Sequence, residues 1–314
     1  MKIAFVIDPI ASFNPLAETT FYLMNEMTRR KWECWGIEIK DLTCTNGRVH
    51  GRAQKLSVTK SAGRFQYKIL GEADLDLAKM DAVLLRKDPP VDLNFIDHLS
   101  LLELLRGKTL LINDPTGIKT ASEKIFPLYF EGIFPETIVS RNSNALRDFI
   151  HEHDDVILKP LNLSGGRGII KVKANDPSLN SLIDIMTENS SRTIQAQKFV
   201  AEVAKGDKRI LVLDGEILGA FLRVPAKSDF RGNLHSGAKL KKVKITAKDK
   251  KLVARLAPEL KKRGLFFVGL DLIGDFVTEI NVTSPMGLGE INHLFLTQSE
   301  KTVVNWLQQK IQRL

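Results

Sequence analysis

The sequence predicts an α/β protein, with a parallel sheet and its helices in the first third and hairpin-rich α+β structure beyond it, on three observations. Strand-length apolar runs alternate with segments of helical periodicity as far as Ile112. Several of those strands end in polar, proline-bearing turns, the place where parallel sheets keep their ligands. Past Asp114 the runs gather around two chemically loaded segments, SGGRG at Ser164–Gly168 and VGLDLIGDFVTEINVTSP at Val268–Pro285. A chain of 314 residues has the length for two domains or for one large domain with a lid.

Taken in order, Ile3–Ile7 is the first strand, stopped by Asp8-Pro9, and Ala17–Arg30 the first helix. Strands follow at Trp35–Ile39, Ala82–Leu85 and Thr109–Ile112, with a helix at Phe95–Leu105; Arg86–Pro90 and Asn113–Pro115 are the polar turns. A helix at Ser122–Tyr129 leads to a strand at Glu136–Val139 and a helix at Ser143–Glu152. Strands Val156–Lys159 and Ile169–Lys173 flank the SGGRG loop. Helix Ser178–Glu188, strands Thr193–Phe199, Arg209–Leu213 and Ile217–Val224, and helix Ala247–Arg263 come next, and Ser299–Gln312 closes the chain.

Composition narrows the function classes. The net charge is +9, and part of the excess sits in KLKKVKITAKDKK at Lys239–Lys251. That run has no aromatic residue for base stacking and no nucleic-acid motif beside it, so it reads as a solvated face, in a basic field that favours polyanions such as ATP. Two cysteines, Cys34 and Cys44, make no disulfide framework. The opening MKIAFVIDP is too short and too soon interrupted for a signal peptide or a membrane span, so the expected compartment is the cytoplasm.

In the second loaded segment, Val268, Leu270 and Leu272 share one strand face, and Phe276, Ile280 and Val282 share one face of the next. A two-residue Gly274-Asp275 turn would pair Ile273 with Phe276 and separate those faces, so an odd-length loop is expected. That register sets Asp271 across from Glu279, with Asn281 on the same face. Facing carboxylates repel unless a cation lies between them, and hard oxygen donors suit Mg²⁺; a solvated face with a chance carboxylate pair accounts for the same residues without a metal.

Ser164, Gly165, Gly166 and Gly168 form a phosphate-loop candidate, because consecutive glycines let backbone N–H groups converge on an anion. A flexible hairpin tip explains the glycines nearly as well. The loop is neither a Walker A sequence nor a dinucleotide fingerprint, since β-type sequence follows it. Lys159 on the entering strand and Lys124 on a helix upstream add point charges suited to phosphate.

Together SEKIF, ILKPLNLSGGRG, GDKRILVLDGE, FRGNL, VGLDLIGDFVTEINVTSP, the DPI at Asp8–Ile10 and the LLRKDPP at Leu84–Pro90 resemble the ATP-grasp ligases, and most of all the prokaryotic glutathione synthetases, over nearly the whole chain. The resemblance implies an N-terminal parallel α/β domain over 1–120, a lid over 121–202 and a C-terminal antiparallel-sheet subdomain over 203–314. It implies ATP bound between two antiparallel sheets and phosphorylation of a substrate carboxylate. An amine then displaces phosphate, here joining γ-glutamylcysteine to glycine. Lys124 and Lys159 match the nucleotide lysines, Ser164–Gly168 the closing loop, Gln197, Phe199 and Val200 the adenine linker, and Asp207 the group near the ribose. Arg209, Arg223 and Arg231 match the phosphate and substrate-carboxylate arginines; Asp271, Glu279 and Asn281 the Mg²⁺ (or Mn²⁺) ligands; Arg86, Asn233, Ser284 and Pro285 the peptide-substrate side. No nucleic acid, no membrane and a homo-oligomer are implied as well. A related ligase acting on another γ-glutamyl compound or peptide, and a non-catalytic nucleotide-binding regulator, stay open.

Two departures bear on the substrate. After FRGNL the glycine run usual in that family is replaced by HSGAKL, and after NVTSP, where the family usually has an isoleucine-arginine-glutamate sequence, this chain has Met286-Gly287-Leu288-Gly289-Glu290. Gly287 and Gly289 therefore lead us to expect a peptide pocket that is looser or differently charged, with poorer capture of one carboxylate.

Overall fold

The computed structural model describes residues 1–226, 232 and 237–313. The first sheet holds seven strands. Strand β1 (Lys2–Ile7) lies parallel to β2 (Glu33–Glu38), and β3 (Leu42–Thr45), β4 (Arg48–Ser61) and β5 (Arg64–Asp76) continue antiparallel beyond β2. On the other side of β1, β6 (Ala82–Leu85) and β7 (Leu110–Ile112) return to parallel pairing. The expected parallel sheet is therefore mixed. The long β4–β5 hairpin escapes sequence reading because β5 buries little beyond Phe65 and carries no clean apolar alternation. Helix α1 (Thr19–Arg29) is capped by Glu18, α2 (Leu93–Leu102) by Asp92, and α3 (Pro115–Thr120) by Asp114 with Pro115 at its first position.

A second sheet, antiparallel throughout, contains β8 (Thr137–Ser140), β9 (Asp155–Pro160), β10 (Ile170–Lys173) and β11 (Ile194–Lys198) in the order β10-β9-β11-β8. Helices α4 (Ser143–His153) and α5 (Leu179–Thr187) cover one face and close a core of their own, drawn from residues 138–196. The third sheet, β12 (Asp207–Leu213), β13 (Glu216–Val224), β14 (Lys239–Lys242), β15 (Phe267–Ile273) and β16 (Phe276–Asn281), has the order β14-β13-β12-β15-β16, again antiparallel. With it go α6 (Ala247–Lys262), α7 (Leu288–Phe295) and α8 (Ser299–Ile311).

Strand alternation divides the rest of the interior into two cores that both run from the first sheet into the third. Ala4 and Val6 of β1 join Ile210 and Val212 of β12 in one, while Ile3, Phe5 and Ile7 join Leu211 and Leu213 in the other. The Asn113 side chain fastens the two sheets together: its Nδ2 donates to the carbonyls of Phe267 (2.7 Å) and Val282 (2.8 Å), and its Oδ1 accepts from the Phe267 N–H at 2.9 Å. Phe126, Phe130 and Ile133 pack into the first of these shared cores, so the separate unit is the second sheet with its two helices.

Two local expectations change. The β15–β16 connection is the two-residue Gly274-Asp275 turn, pairing Ile273 with Phe276. A bulge between Asp271 and Leu272 in the ladder then restores register, so that Asp271 still faces Glu279; Val277 is buried in place of the exposed Phe276. Around Lys124 there is no α-helix, only turns and a 3₁₀ segment at Phe126–Tyr129, because α3 ends at Thr120 and Pro127 follows too soon for another to grow.

Candidate active site

A cavity of about 840 Å³ opens between the second and third sheets. Its floor is a cross-strand network on the third sheet. The ladder sets Asp207 opposite Arg223 and Arg209 opposite Asp271, so strand register alone brings two acids and two guanidiniums side by side. Arg209 grips Asp271 with Nε at 2.5 Å and Nη2 at 2.9 Å, while its Nη1 donates to the Met286 carbonyl at 3.1 Å. Arg223 Nη2 reaches both Asp207 (2.5 Å) and Asp271 (2.8 Å). Burial on its own would raise the Asp271 carboxyl, but Arg209 and Arg223 hold it below its ordinary value. Asp207 goes the other way: burial outweighs its attraction to Arg223 and pushes it up to about 6. Burial opposes the Arg223 charge, yet Asp207 and Asp271 raise its pKa above the ordinary value.

Beside this network Lys124 Nζ donates to Glu279 Oε1 at 2.9 Å and to the Leu163 carbonyl at 2.5 Å, linking the metal-ligand candidate to the base of the glycine loop. Its neighbour Glu123, which the sequence reading passes over, is buried. Glu123 Oε1 accepts from the N–H groups of Val282 and Thr283 at 2.9 and 3.1 Å and from the Thr283 hydroxyl at 2.9 Å. Burial, then repulsion from Glu279, raises the Glu123 pKa. Asn281 Nδ2 donates to the Gly269 carbonyl and to Asp271 Oδ2, which turns the amide so that its oxygen is the donor left for a cation. Glu279 and Asn281 thus provide hard oxygen donors that suit Mg²⁺, with water and phosphate to complete its shell. Asp271 is already matched by two guanidiniums, so its charge is less at a metal's disposal. Among the described residues no group of three or more His, Cys, Asp or Glu side chains gathers in metal-binding fashion.

The second sheet supplies the opposite wall. Lys159 Nζ donates to Gln197 Oε1 at 2.7 Å, across the β9–β11 pair; burial pulls its pKa down to about 8, with Glu279 acting against the fall. Gln197, Phe199 and Val200 line the cavity where β11 runs back toward the third sheet. Ser164, Gly165 and Gly166 reach its mouth, and the backbone at Gly165 (φ 70°), Gly166 (φ 73°) and Gly168 (φ 70°) lies in the left-handed region that side chains resist.

On the peptide side the picture differs from expectation. Ser284 lines the cavity, whereas Arg86 lies fully behind the wall, its Nη2 on the Pro285 carbonyl at 3.2 Å and its Nε on Thr20 Oγ1 at 3.2 Å. Pro285 contributes that carbonyl rather than a surface of the cavity. Arg231 and Asn233 lie outside the described residues. The departure at 287 and 289 loosens nothing: a side chain begun at Gly289 would meet Tyr22 Cε2 at 2.9 Å, and one at Gly287 would meet Phe221 Cε1 at 2.8 Å. Tyr22 fills that space and is held there by Lys60 Nζ, 3.0 Å from its hydroxyl. Sequence reading singles out none of Glu18, Asp88 and Glu290 on the cavity wall, although Asp88 stands in the LLRKDPP turn and Glu290 ends the departure after NVTSP; Glu18 alone has no local mark.

Two antiparallel sheets around an anion-ready cavity, with a glycine loop over its mouth, define the ATP-grasp ligase fold. Solved structures agree: a D-cycloserine synthetase superposes with a TM-score of 0.65 at 15% identity, covering 98% of this chain and 100% of its own. A RimK-domain ATP-grasp protein of Sphaerobacter thermophilus gives 0.64 at 15% identity, covering 97% and 98%. More narrowly, the family model for the prokaryotic glutathione synthetase N-terminal domain matches residues 1–119, and that for the ATP-grasp domain of the same enzymes matches 123–296. The glutathione synthetase of Escherichia coli K12 is 38% identical over 315 aligned positions, covering 100% of this chain and 99% of that protein. Those of Yersinia pestis and Brucella melitensis are each 40% identical, with 100% and 98%, and 93% and 93%, of the two chains covered. This chain belongs to the prokaryotic glutathione synthetase family and is an ATP-dependent ligase.

Proposed function

We propose that the cavity joins γ-glutamylcysteine to glycine, converting ATP to ADP and phosphate through an acyl phosphate. One observation carries the reading most directly. The Asp207–Arg223–Asp271–Arg209 network and the Lys124–Glu279 pair meet in a single cavity that Lys159 and the glycine loop close from the other side.

In this reading a carboxylate oxygen of the dipeptide attacks the γ-phosphorus and the bond to the β-phosphate oxygen breaks. The amine nitrogen of glycine, having given up a proton, then attacks the acyl carbon and phosphate departs. Lys124 and Lys159 hold the nucleotide phosphates, and Arg209 and Arg223 balance charge on the transferring group and the acyl phosphate. Phe199 and Val200 present backbone to the base, and Asp207 lies toward the sugar. The loop over the mouth keeps water from the acyl phosphate. Glu279 and Asn281, with Asp271 behind them, would hold Mg²⁺ or Mn²⁺, which supplies charge neutralisation at the phosphate oxygens. We place the protein in the cytoplasm on its two unpaired cysteines, Cys34 and Cys44. Among the described residues no helix is long and apolar enough to cross a membrane.

The test is an end-point assay with ATP, Mg²⁺ and a panel of dipeptides and amino acids, read by mass. Glutathione with ADP and phosphate is the expected product set. Release of AMP and pyrophosphate would overturn the mechanism, and turnover only with a different acceptor would point to the related ligase.

A further inference from the structure

One buried carboxylate on the cavity wall has no part in the network above. Glu290 sits in the first turn of α7 with 8% of its surface exposed, lines the cavity, and has an Oε2 that is buried without a hydrogen-bond partner. The cations nearest in effect are Arg209 and Arg223, but both are engaged elsewhere, on Asp271 and the Met286 carbonyl and on Asp207 and Asp271 respectively. Glu18 is the other carboxylate acting on Glu290, and it too lines the cavity with 8% of its surface exposed. Glu18 is partly satisfied: its Oε1 accepts from the Thr20 N–H at 2.9 Å and stands 3.9 Å from Arg86 Nη2. The backbone at the start of α7 is held by Thr19, whose hydroxyl accepts from the Gly287 and Leu288 N–H groups, so the Glu290 carboxylate has only its own backbone N–H to meet in this turn.

A buried carboxylate oxygen without a donor is costly, and two such acids facing one cavity repel each other and any incoming phosphate or carboxylate. A small cationic donor relieves both penalties. ATP carries none. Each of the other two reactants carries one primary ammonium: the α-ammonium of the γ-glutamyl residue and the ammonium of glycine. We propose that Glu290, assisted by Glu18, is the seat for a substrate ammonium and a specificity-determining residue for the ligase. This rests on the reading under Proposed function.

The experiment starts with the wild-type enzyme, ATP, γ-glutamylcysteine and glycine. Absence of glutathione there would defeat the ligase reading itself, whatever Glu290 does. With wild-type activity in hand, Glu290→Gln keeps size and a hydrogen-bond acceptor but removes charge. The expected result is a rise of about 10- to 100-fold in KM for one ammonium-bearing substrate, the range for losing a hydrogen bond to a charged group, with KM for ATP and the melting temperature unchanged. Glutaryl-cysteine, the dipeptide analogue lacking the α-amino group, tells the two sources apart. If the dipeptide ammonium is the one held, wild type discriminates strongly against the analogue and Glu290→Gln does not. If glycine is held, its KM moves and the variant keeps the wild-type preference for the natural dipeptide. Both KM values staying at wild-type level, or all three rising together with a lowered melting temperature, would overturn the proposal. Glu18→Gln, which still can cap α1 through its amide oxygen, serves as the second variant and is expected to shift the same KM by less.

Discussion

At Lys159 burial draws the ammonium pKa down to about 8, so the charge we propose for holding phosphate is lost as the solution turns alkaline. A lysine pKa lowered to about 8 means that the charged form is full only well below that pH, is half lost near it and disappears as pH rises through it. The expected outcome is a fall in kcat/KM for ATP above about pH 8, visible in a pH profile of the free enzyme, and its removal in Lys159→Arg, whose guanidinium stays charged. Glu279 bonds Lys124 and lies across from Asp271, so Glu279→Gln strips charge from the corner proposed to hold the metal and phosphate while the strand stays paired. Turnover should drop by roughly two to three orders of magnitude at saturating Mg²⁺, with a denaturant midpoint close to wild type. Steady-state rates and a urea curve on the same preparation check both halves. Residues of this kind were legible in the sequence because their chemical type is out of place where they sit: Asp271, Glu279 and Asn281 among aliphatics, Lys159 on an apolar strand. Glu123 and Glu290 were not, since what makes them unusual is the company they keep across the fold, at Val282 and Thr283 for one and at Glu18 for the other.

Among the elements, the β15–β16 hairpin shows how a right result can come from a wrong intermediate. Alternation correctly required Asp271 to face Glu279, but a bulge rather than a longer turn delivers it, because period-two reasoning has no term for an extra residue. Helix α7 was invisible for a related reason: Met286-Gly287-Leu288-Gly289 has neither a capping side chain nor helical composition, and its N-terminal N–H groups are satisfied by Thr19 from α1. That pairing of α1 with α7 decides what can occupy position 289. An arginine there would begin 2.9 Å from the Tyr22 ring in a buried site, so Gly289→Arg is expected to cost at least about 3 kcal/mol through overpacking and an unpaired charge. The double variant Gly289→Arg with Tyr22→Ala should recover part of that loss. Chemical unfolding of the two single variants and the double closes the cycle, and strict additivity would show that the ring is not what excludes the side chain.

For the molecule as a whole, most strands and helices were readable from periodicity and their grouping only from the family resemblance, whereas the joining of the first sheet to the third was not, because no local pattern encodes a contact between Ala4 and Ile210. Asn113 is where that union is most exposed to test. Replacing it by Leu leaves the carbonyls of Phe267 and Val282 and the Phe267 N–H buried without partners, so Asn113→Leu should lower stability by roughly 3 kcal/mol or more in equilibrium unfolding. The second sheet, with a core drawn from residues 138–196, should keep its amide-exchange protection longer than the rest of the destabilised variant. The same division governs how the chain comes off the ribosome. The first sheet is complete once Ile112 has emerged, yet apolar side chains on both of its faces wait for partners as far along as Phe267 and Val282. At roughly 5–20 residues per second that interval lasts on the order of 10 s, in which the nascent N-terminal sheet offers apolar surface to chaperones and to neighbouring chains. The intervening unit closes on its own meanwhile, so its separate core lets translation proceed past a finished piece to reach the strands that the beginning of the chain requires.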